Sequence, residues 1–117
     1  MKIRIKGNSL RYRLTRSDLA TVTKEGYIEE NTDFGQQTLI YALKVTETEE
    51  LKAEFINSQL TLFISAAMVK EFADTDQVGF SHQSGPLHLL IEKDFTCLDN
   101  VEEDQSDNFP NPLAVNN

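Results

Sequence analysis

The chain has no tryptophan and a single cysteine among its 117 residues, and no apolar run approaches the length needed to cross a bilayer. Each shortage excludes something. Cys97 has no second cysteine for an intrachain disulfide or a C-x-x-C site, a usage that fits a reducing compartment, so a cytoplasmic location is expected. Residues 1–8 alternate charge with isoleucine and contain no seven-residue apolar stretch, so neither a signal peptide nor a membrane anchor is read there. No Walker loop, G-x-G-x-x-G turn or G-x-S-x-G elbow occurs, which removes the commonest nucleotide, dinucleotide and serine-hydrolase signatures.

What is present is enough for one core. With 39% hydrophobic residues the chain reads as a single domain of ordinary size, expected over residues 1–98 and followed by an acidic tail at 99–117. The net charge of -8 conceals a polarity: residues 1–24 hold seven bases and one acid, whereas the rest hold four bases and eighteen acids. A basic start on an acidic body can bind phosphates, face an acidic partner, or be neutralised within the fold by the tail. That tail, with Asp99, Glu102, Glu103, Asp104 and Asp107, has few apolar groups and predicts little regular structure.

Alternation in Lys2-Ile3-Arg4-Ile5-Lys6 puts isoleucines on one face and bases on the other, as a half-buried strand requires. Leu10, Tyr12 and Leu14 alternate with Arg11 and Arg13 in the same way, and Gly7-Asn8 between the two runs has the chemistry of a tight hairpin turn. If the strands pair in a suitable register, Arg4, Lys6, Arg11 and Arg13 share a face. A short helix follows over residues 16–24, capped by Thr15 or Ser17 and stopped by Gly26. Strands at 27–30 and 38–45 complete a ββαββ unit. The second half repeats it, with strands at 51–56 and 59–65, a helix at 66–73, and strands at 78–80 and 87–93. Turn residues recur at nearly one spacing, Asn8-Ser9 against Asn57-Ser58 and Gly35 against Gly85, so an internal duplication is read, with halves at about 2–45 and 51–95. The expected fold is mostly β with two short helices, an α+β class in which tandem ββαββ units close a pseudo-twofold barrel. An open antiparallel sheet with helices on one face is the alternative.

Two resemblances follow. The run Lys6-Gly7-Asn8-Ser9, then Arg13-Leu14-Thr15 and a short helix, resembles the swapped-hairpin domains of the AbrB and MazE type. So do Asp76-Gln77-Val78-Gly79-Phe80 and Gly85-Pro86-Leu87-His88-Leu89 in the second half. The resemblance implies an interlaced AbrB/MazE-like barrel, here imitated within one chain, and a role in transcription regulation or toxin neutralisation. It places DNA contacts on Arg4, Asn8, Ser9 and Arg13. Thr15 replaces the usual proline, and the second hairpin, with Leu60, Leu62 and Ile64, has no bases, so this chain could not read a palindrome as a true dimer does. The whole chain also resembles a small bacterial family of uncharacterised proteins that begin M-K-I-R-I-K-G-N-S and end E-K-D-F-x-C-L with an acidic stretch before P-N-P. That likeness implies no activity.

Catalytic chemistry finds little support. Cys97 has only His82 and His88 as helpers, neither at diagnostic spacing, and it reads more simply as a small core residue than as a thiol nucleophile or a zinc ligand. The acidic tail lacks the glycine-centred loop of an EF-hand. Tunnel-shaped triphosphate hydrolases carry E-x-E-x-K on their first strand, whereas Lys2-x-Arg4-x-Lys6 stands here, leaving a metal-dependent phosphohydrolase without an evident metal seat. The expectation is therefore a non-enzymatic, cofactor-free binding module, a monomer or weak homodimer with no membrane role. Nucleic acid or another anion would meet Arg4, Lys6, Asn8, Ser9, Arg11 and Arg13. The alternative is a protein interaction module, with an acidic protein segment on the hairpin or a partner on the tail.

Overall fold

Burial follows the alternation read from the sequence. In the strand Ser9–Leu14, Leu10, Tyr12 and Leu14 are buried while Ser9, Arg11 and Arg13 are half-exposed. The structure is a computed structural model that describes residues 1–95 and 106–110. Its element order is β1 (Lys2–Lys6), β2 (Ser9–Leu14), α1 (Arg16–Glu25), β3 (Tyr27–Asp33), β4 (Thr38–Val45), β5 (Lys52–Ile56), β6 (Gln59–Ile64), α2 (Ala66–Asp74), β7 (Gly79–Ser84) and β8 (Leu87–Lys93). The two halves thus share one ββαββ order. Strands β3 and β7 run beyond the expected 27–30 and 78–80, because ladder pairing with β4 and β8 holds polar residues such as Asn31, Asp33 and Gln83 in extended backbone, Asn and Asp despite their weak strand preference.

The helices begin on side-chain caps. Thr15, not Ser17, caps α1: Asp18 N donates to Thr15 Oγ1 at 3.3 Å and Thr15 N donates to Asp18 Oδ2 at 2.9 Å, a reciprocal capping box. Ser65, fifty residues later, caps α2 by accepting from Met68 N at 3.1 Å. Gly26 ends α1 at φ 73°, the left-handed conformation that a side chain would strain, and its N–H donates to Val22 O at 2.9 Å. Buried pairs repeat at the same fifty-residue interval: Leu19 with Val69 and Val22 with Phe72 turn the apolar stripes of the two helices inward, and the helices pack against each other.

Strand order departs from the expected barrel. The described residues form two four-stranded sheets, β1-β2-β8-β7 and β3-β4-β6-β5, with no closed barrel among them, and each sheet combines the first hairpin of one half with the second hairpin of the other. The seams between halves, β2 with β8 and β4 with β6, are parallel, so the alternative of one open antiparallel sheet does not hold either. A barrel requires a continuous hydrogen-bonded ladder around its circumference. Here the sheets meet through side chains. Leu43, Leu62 and Ile64 of one face Leu14, Leu89 and Ile91 of the other, and Tyr12 Oη donates to Ala42 O at 2.8 Å across the interface. At the β1 end, the α-ammonium of Met1 pairs with Asp18 Oδ2 at 2.9 Å and with Glu30 of β3. Burial lowers the pKa of that ammonium, but hydrogen bonds to Glu30 and Asp18 outweigh it and leave the group raised. Among the described residues no helix is long and apolar enough to cross a membrane.

Candidate functional site

The β1–β2 register sets Lys2 opposite Arg13, Arg4 opposite Arg11 and Lys6 opposite Ser9. Residues directly opposite in an antiparallel pair share a face, so all five bases of the hairpin emerge on one side while Ile3, Ile5, Leu10 and Tyr12 take the other. Across the parallel seam, β8 continues this outer face with His88 beside Ser9, Leu90 beside Arg11 and Glu92 beside Arg13. Arg4, Lys6, Ser9, Arg11 and Arg13 therefore come together as the sequence suggested. Asn8 does not join them: it sits in the turn, where its Nδ2 donates to Pro86 O at 3.1 Å and its carbonyl accepts from His88 N at 2.9 Å, tying the two adjoining turns together.

Part of this charge is answered from β8 and its end. Glu92 Oε1 lies 3.4 Å from Arg11 Nε and 3.8 Å from Arg13 Nε. Asp94, only 6% exposed, has its Oδ2 at 3.2 Å from Lys2 Nζ, so the lysine compensates a carboxylate oxygen that burial would otherwise isolate. Arg4 and Lys6 are exposed and form no ion pair among the described residues. Lys2, Glu92 and His88 were missed as members of this surface. The alternation of Leu89 and Ile91 in β8 already turned His88 and Glu92 outward, but nothing in the sequence placed β8 beside β2.

The described part of the tail docks elsewhere. Residues 106–110 lie against the start of α1, where Arg16 N donates to Asp107 O at 3.1 Å and Arg16 Nη2 donates to Ser106 O at 2.9 Å. Ser17 N donates to Asp107 Oδ1 at 3.3 Å and Ser17 Oγ bonds the other carboxylate oxygen. Phe109 N donates to Asp94 O at 2.9 Å, and a parallel bridge joins Phe95 to Phe109 with ring centroids 6.0 Å apart. Lys93 approaches the Phe109 ring, its Nζ 5.1 Å from the centroid, while donating to Thr75 O at 3.0 Å; burial lowers its pKa and Asp76 partly restores it. The expectations placed on Cys97, Asp99, Glu102, Glu103 and Asp104 lie outside the described residues.

Hydrogen bonds from Ser17 and then Thr15 hold the Asp107 carboxyl below its ordinary 3.8. A depressed carboxyl favours the docked state above its free pKa and loses that contribution as pH falls through the lowered value. An acid titration followed by the Ser17 amide resonance should therefore show undocking only below about pH 4, and Asp107→Asn should erase that step. A Ser17 resonance that already moves at or above the carboxyl's ordinary 3.8, or whose step survives Asp107→Asn, would contradict the docking.

The remaining chemistry is dispersed. His82 Nδ1 is 3.2 Å from Glu50 Oε2. His88 pairs with Gln83 in the register, so the two histidines occupy opposite faces of their sheet. Among the described residues no group of three metal-ligating side chains forms. The adjacent acids Glu29 and Glu30 diverge, Glu29 to the Tyr27 hydroxyl and Glu30 to Met1.

Neither the curated proteins nor the solved structures contain a match to the chain. The model of a family of unknown function, DUF7009, matches residues 1–113, and the chain belongs to that family.

Proposed function

We propose that the chain is a non-enzymatic binding module whose β1–β2 hairpin engages the phosphates of a nucleic acid. The observation behind this reading is the register that sets Arg4 directly across from Arg11, between the Lys2–Arg13 and Lys6–Ser9 pairs. Like charges directly opposite destabilise a sheet by a few tenths of a kcal/mol, up to about 1, a cost that a polyanion relieves. Bases on an edge strand also deter edge-to-edge association, but that role needs only β1; Arg11 and Arg13 stand on the interior strand β2. Guanidinium groups on a flat face suit phosphate oxygens. The His88 imidazole is the only aromatic ring among the β2 and β8 residues of this face, so a row of stacked bases is not part of the reading. The exchange of hairpins between halves supports the comparison with AbrB/MazE-type regulators, which use the first hairpin in the same way. An acidic protein segment is the second ligand that this face suits, because carboxylates meet the same guanidinium geometry.

The test is fluorescence anisotropy with labelled single- and double-stranded oligonucleotides over a salt series. Binding should weaken steeply with salt, and Arg4→Ala/Arg11→Ala should reduce the slope of log affinity against log salt by about 2. If the folded wild-type chain binds neither oligonucleotide at low salt, or the slope is the same in the variant, the reading fails.

A further inference from the structure

We infer that the start of α1 and the end of β8 form a peptide-recognition site, whose ligand in trans is a segment of another protein with aspartate two residues before phenylalanine. Residues 106–110 are its resident occupant.

Three observations support this. First, the ligand chemistry is displayed by the occupant: the Asp107 carboxylate takes Ser17 N and Oγ, and the Phe109 ring packs against Phe95, Lys93 and the core. Second, the remaining bonds come largely from main chain and are indifferent to sequence, Arg16 N to Asp107 O and Phe109 N to Asp94 O, while the Phe95–Phe109 bridge adds the segment in extended form to the end of β8. Backbone pairing for affinity with alternate side chains for specificity is how sheets and chain ends recognise peptides. Third, part of the receptor is fixed by bonds in which the occupant takes no part: Thr15 and Asp18 form a reciprocal capping box at the start of α1, and Asp94 N donates to Leu14 O at 2.8 Å. A carboxylate at the start of α1 is further favoured by the helix dipole and by Arg16.

The cis segment competes with any partner. Only ten residues separate Phe95 from Ser106, and a short covalent connection gives an effective concentration of about millimolar. A partner segment therefore binds the intact chain more weakly than it binds a chain whose clasp is disabled.

The experiment uses a fluorescent synthetic peptide of residues 104–112 and the full-length chain. Asp107→Ala/Phe109→Ala in the chain removes the two side-chain anchors of the cis segment and should bind the peptide more tightly than wild type does. Peptides with Asp107→Asn or Phe109→Ala should bind this variant about tenfold more weakly, the loss expected for a charge-assisted bond or a seated ring. Absence of binding to a variant that still melts cooperatively, or equal binding of all three peptides, would overturn the site. Should the variant not fold, the wild-type chain serves: the unsubstituted peptide carrying a paramagnetic label, at several times the millimolar effective concentration of the cis segment, should broaden the Ser17 and Phe95 amide resonances while labelled Asp107→Asn and Phe109→Ala peptides should not, and resonances left sharp by the unsubstituted peptide overturn the inference.

Discussion

Tyr12→Ala is expected to remove about 3–5 kcal/mol of folding stability, a large share of the 5–15 kcal/mol that a domain of this size commonly has. Tyr12 is 0% exposed and is the largest side chain in the core. It lies on the inward face of β2 with Ile3 on one side and Ile91 on the other, and its hydroxyl crosses to the backbone of the second sheet, 2.8 Å from Ala42 O and 3.4 Å from Leu60 O. Alanine leaves a cavity between the sheets and removes both of the bonds that the hydroxyl makes to that sheet. Tyr12→Phe separates the two effects, keeping the ring and losing the hydroxyl, for about 1 kcal/mol. Urea midpoints at constant m-value measure both. A phenylalanine variant as unstable as the alanine variant would assign the whole effect to the hydroxyl and contradict the packing argument.

The same residue predicts an alkaline limit. Burial pushes the Tyr12 phenol well above its ordinary 10.0, and the hydrogen bond to Ala42 only partly offsets that rise. A raised pKa contributes stability that is intact below the unfolded value and is lost as pH rises through the folded one. Stability should therefore decline above about pH 10, and less steeply in Tyr12→Phe.

Phe72→Ala is expected to cost a similar amount, about 3–5 kcal/mol. Phe72 is 1% exposed, and its ring meets Phe80 edge-on at 4.9 Å with an interplanar angle of 68°. It is the contact by which α2 fills the end of the core under β7, and Lys93 Nζ stands 5.8 Å from its centroid. Phe72→Leu retains most of the volume and should lose much less, about 1.5 kcal/mol or below. The edge-on pair adds about 0.5–1.5 kcal/mol, measurable as the coupling in a Phe72→Leu/Phe80→Leu double-mutant cycle. Thermal melts that place Phe72→Ala within a few degrees of wild type would show that α2 is not part of the cooperative core.

Both residues show how far a sequence of this kind can be read. Tyr12 stood out as an inward position because it alternates with Arg11 and Arg13, and within the helix expected at 66–73 Phe72 follows Val69 by three, the spacing of a buried stripe. Local geometry alone produces those signals, a period of two along a strand and about 3.6 along a helix. What neither pattern contains is the identity of the neighbour. That Tyr12 reaches Ala42, or that Phe72 meets Phe80, depends on how hairpins from different halves combine. The candidate face divides in the same way. Four of its bases, Arg4, Lys6, Arg11 and Arg13, were legible as sharing a side only on condition of a register that the sequence left open; the register itself, and Lys2 as the fifth base, came from the structure. Glu92 and Asp94, which answer much of that charge, come from the far end of the chain and lay outside any local signal.

By itself, then, the sequence determined the elements: eight strands, two helices, the first with its cap, the repeated ββαββ order and the segregation of charge toward the start. Short-range forces set these, namely alternation, capping and turn chemistry acting over a few residues. Tertiary structure alone decided that the halves exchange hairpins across the parallel β2–β8 and β4–β6 seams, that two sheets form in place of a barrel, and that residues 106–110 seat on α1 and not on the hairpin. Those outcomes follow from burying Leu43, Leu62, Leu89 and Ile91 together while every ladder inside the sheets stays paired, a condition on the whole chain that no window of sequence expresses.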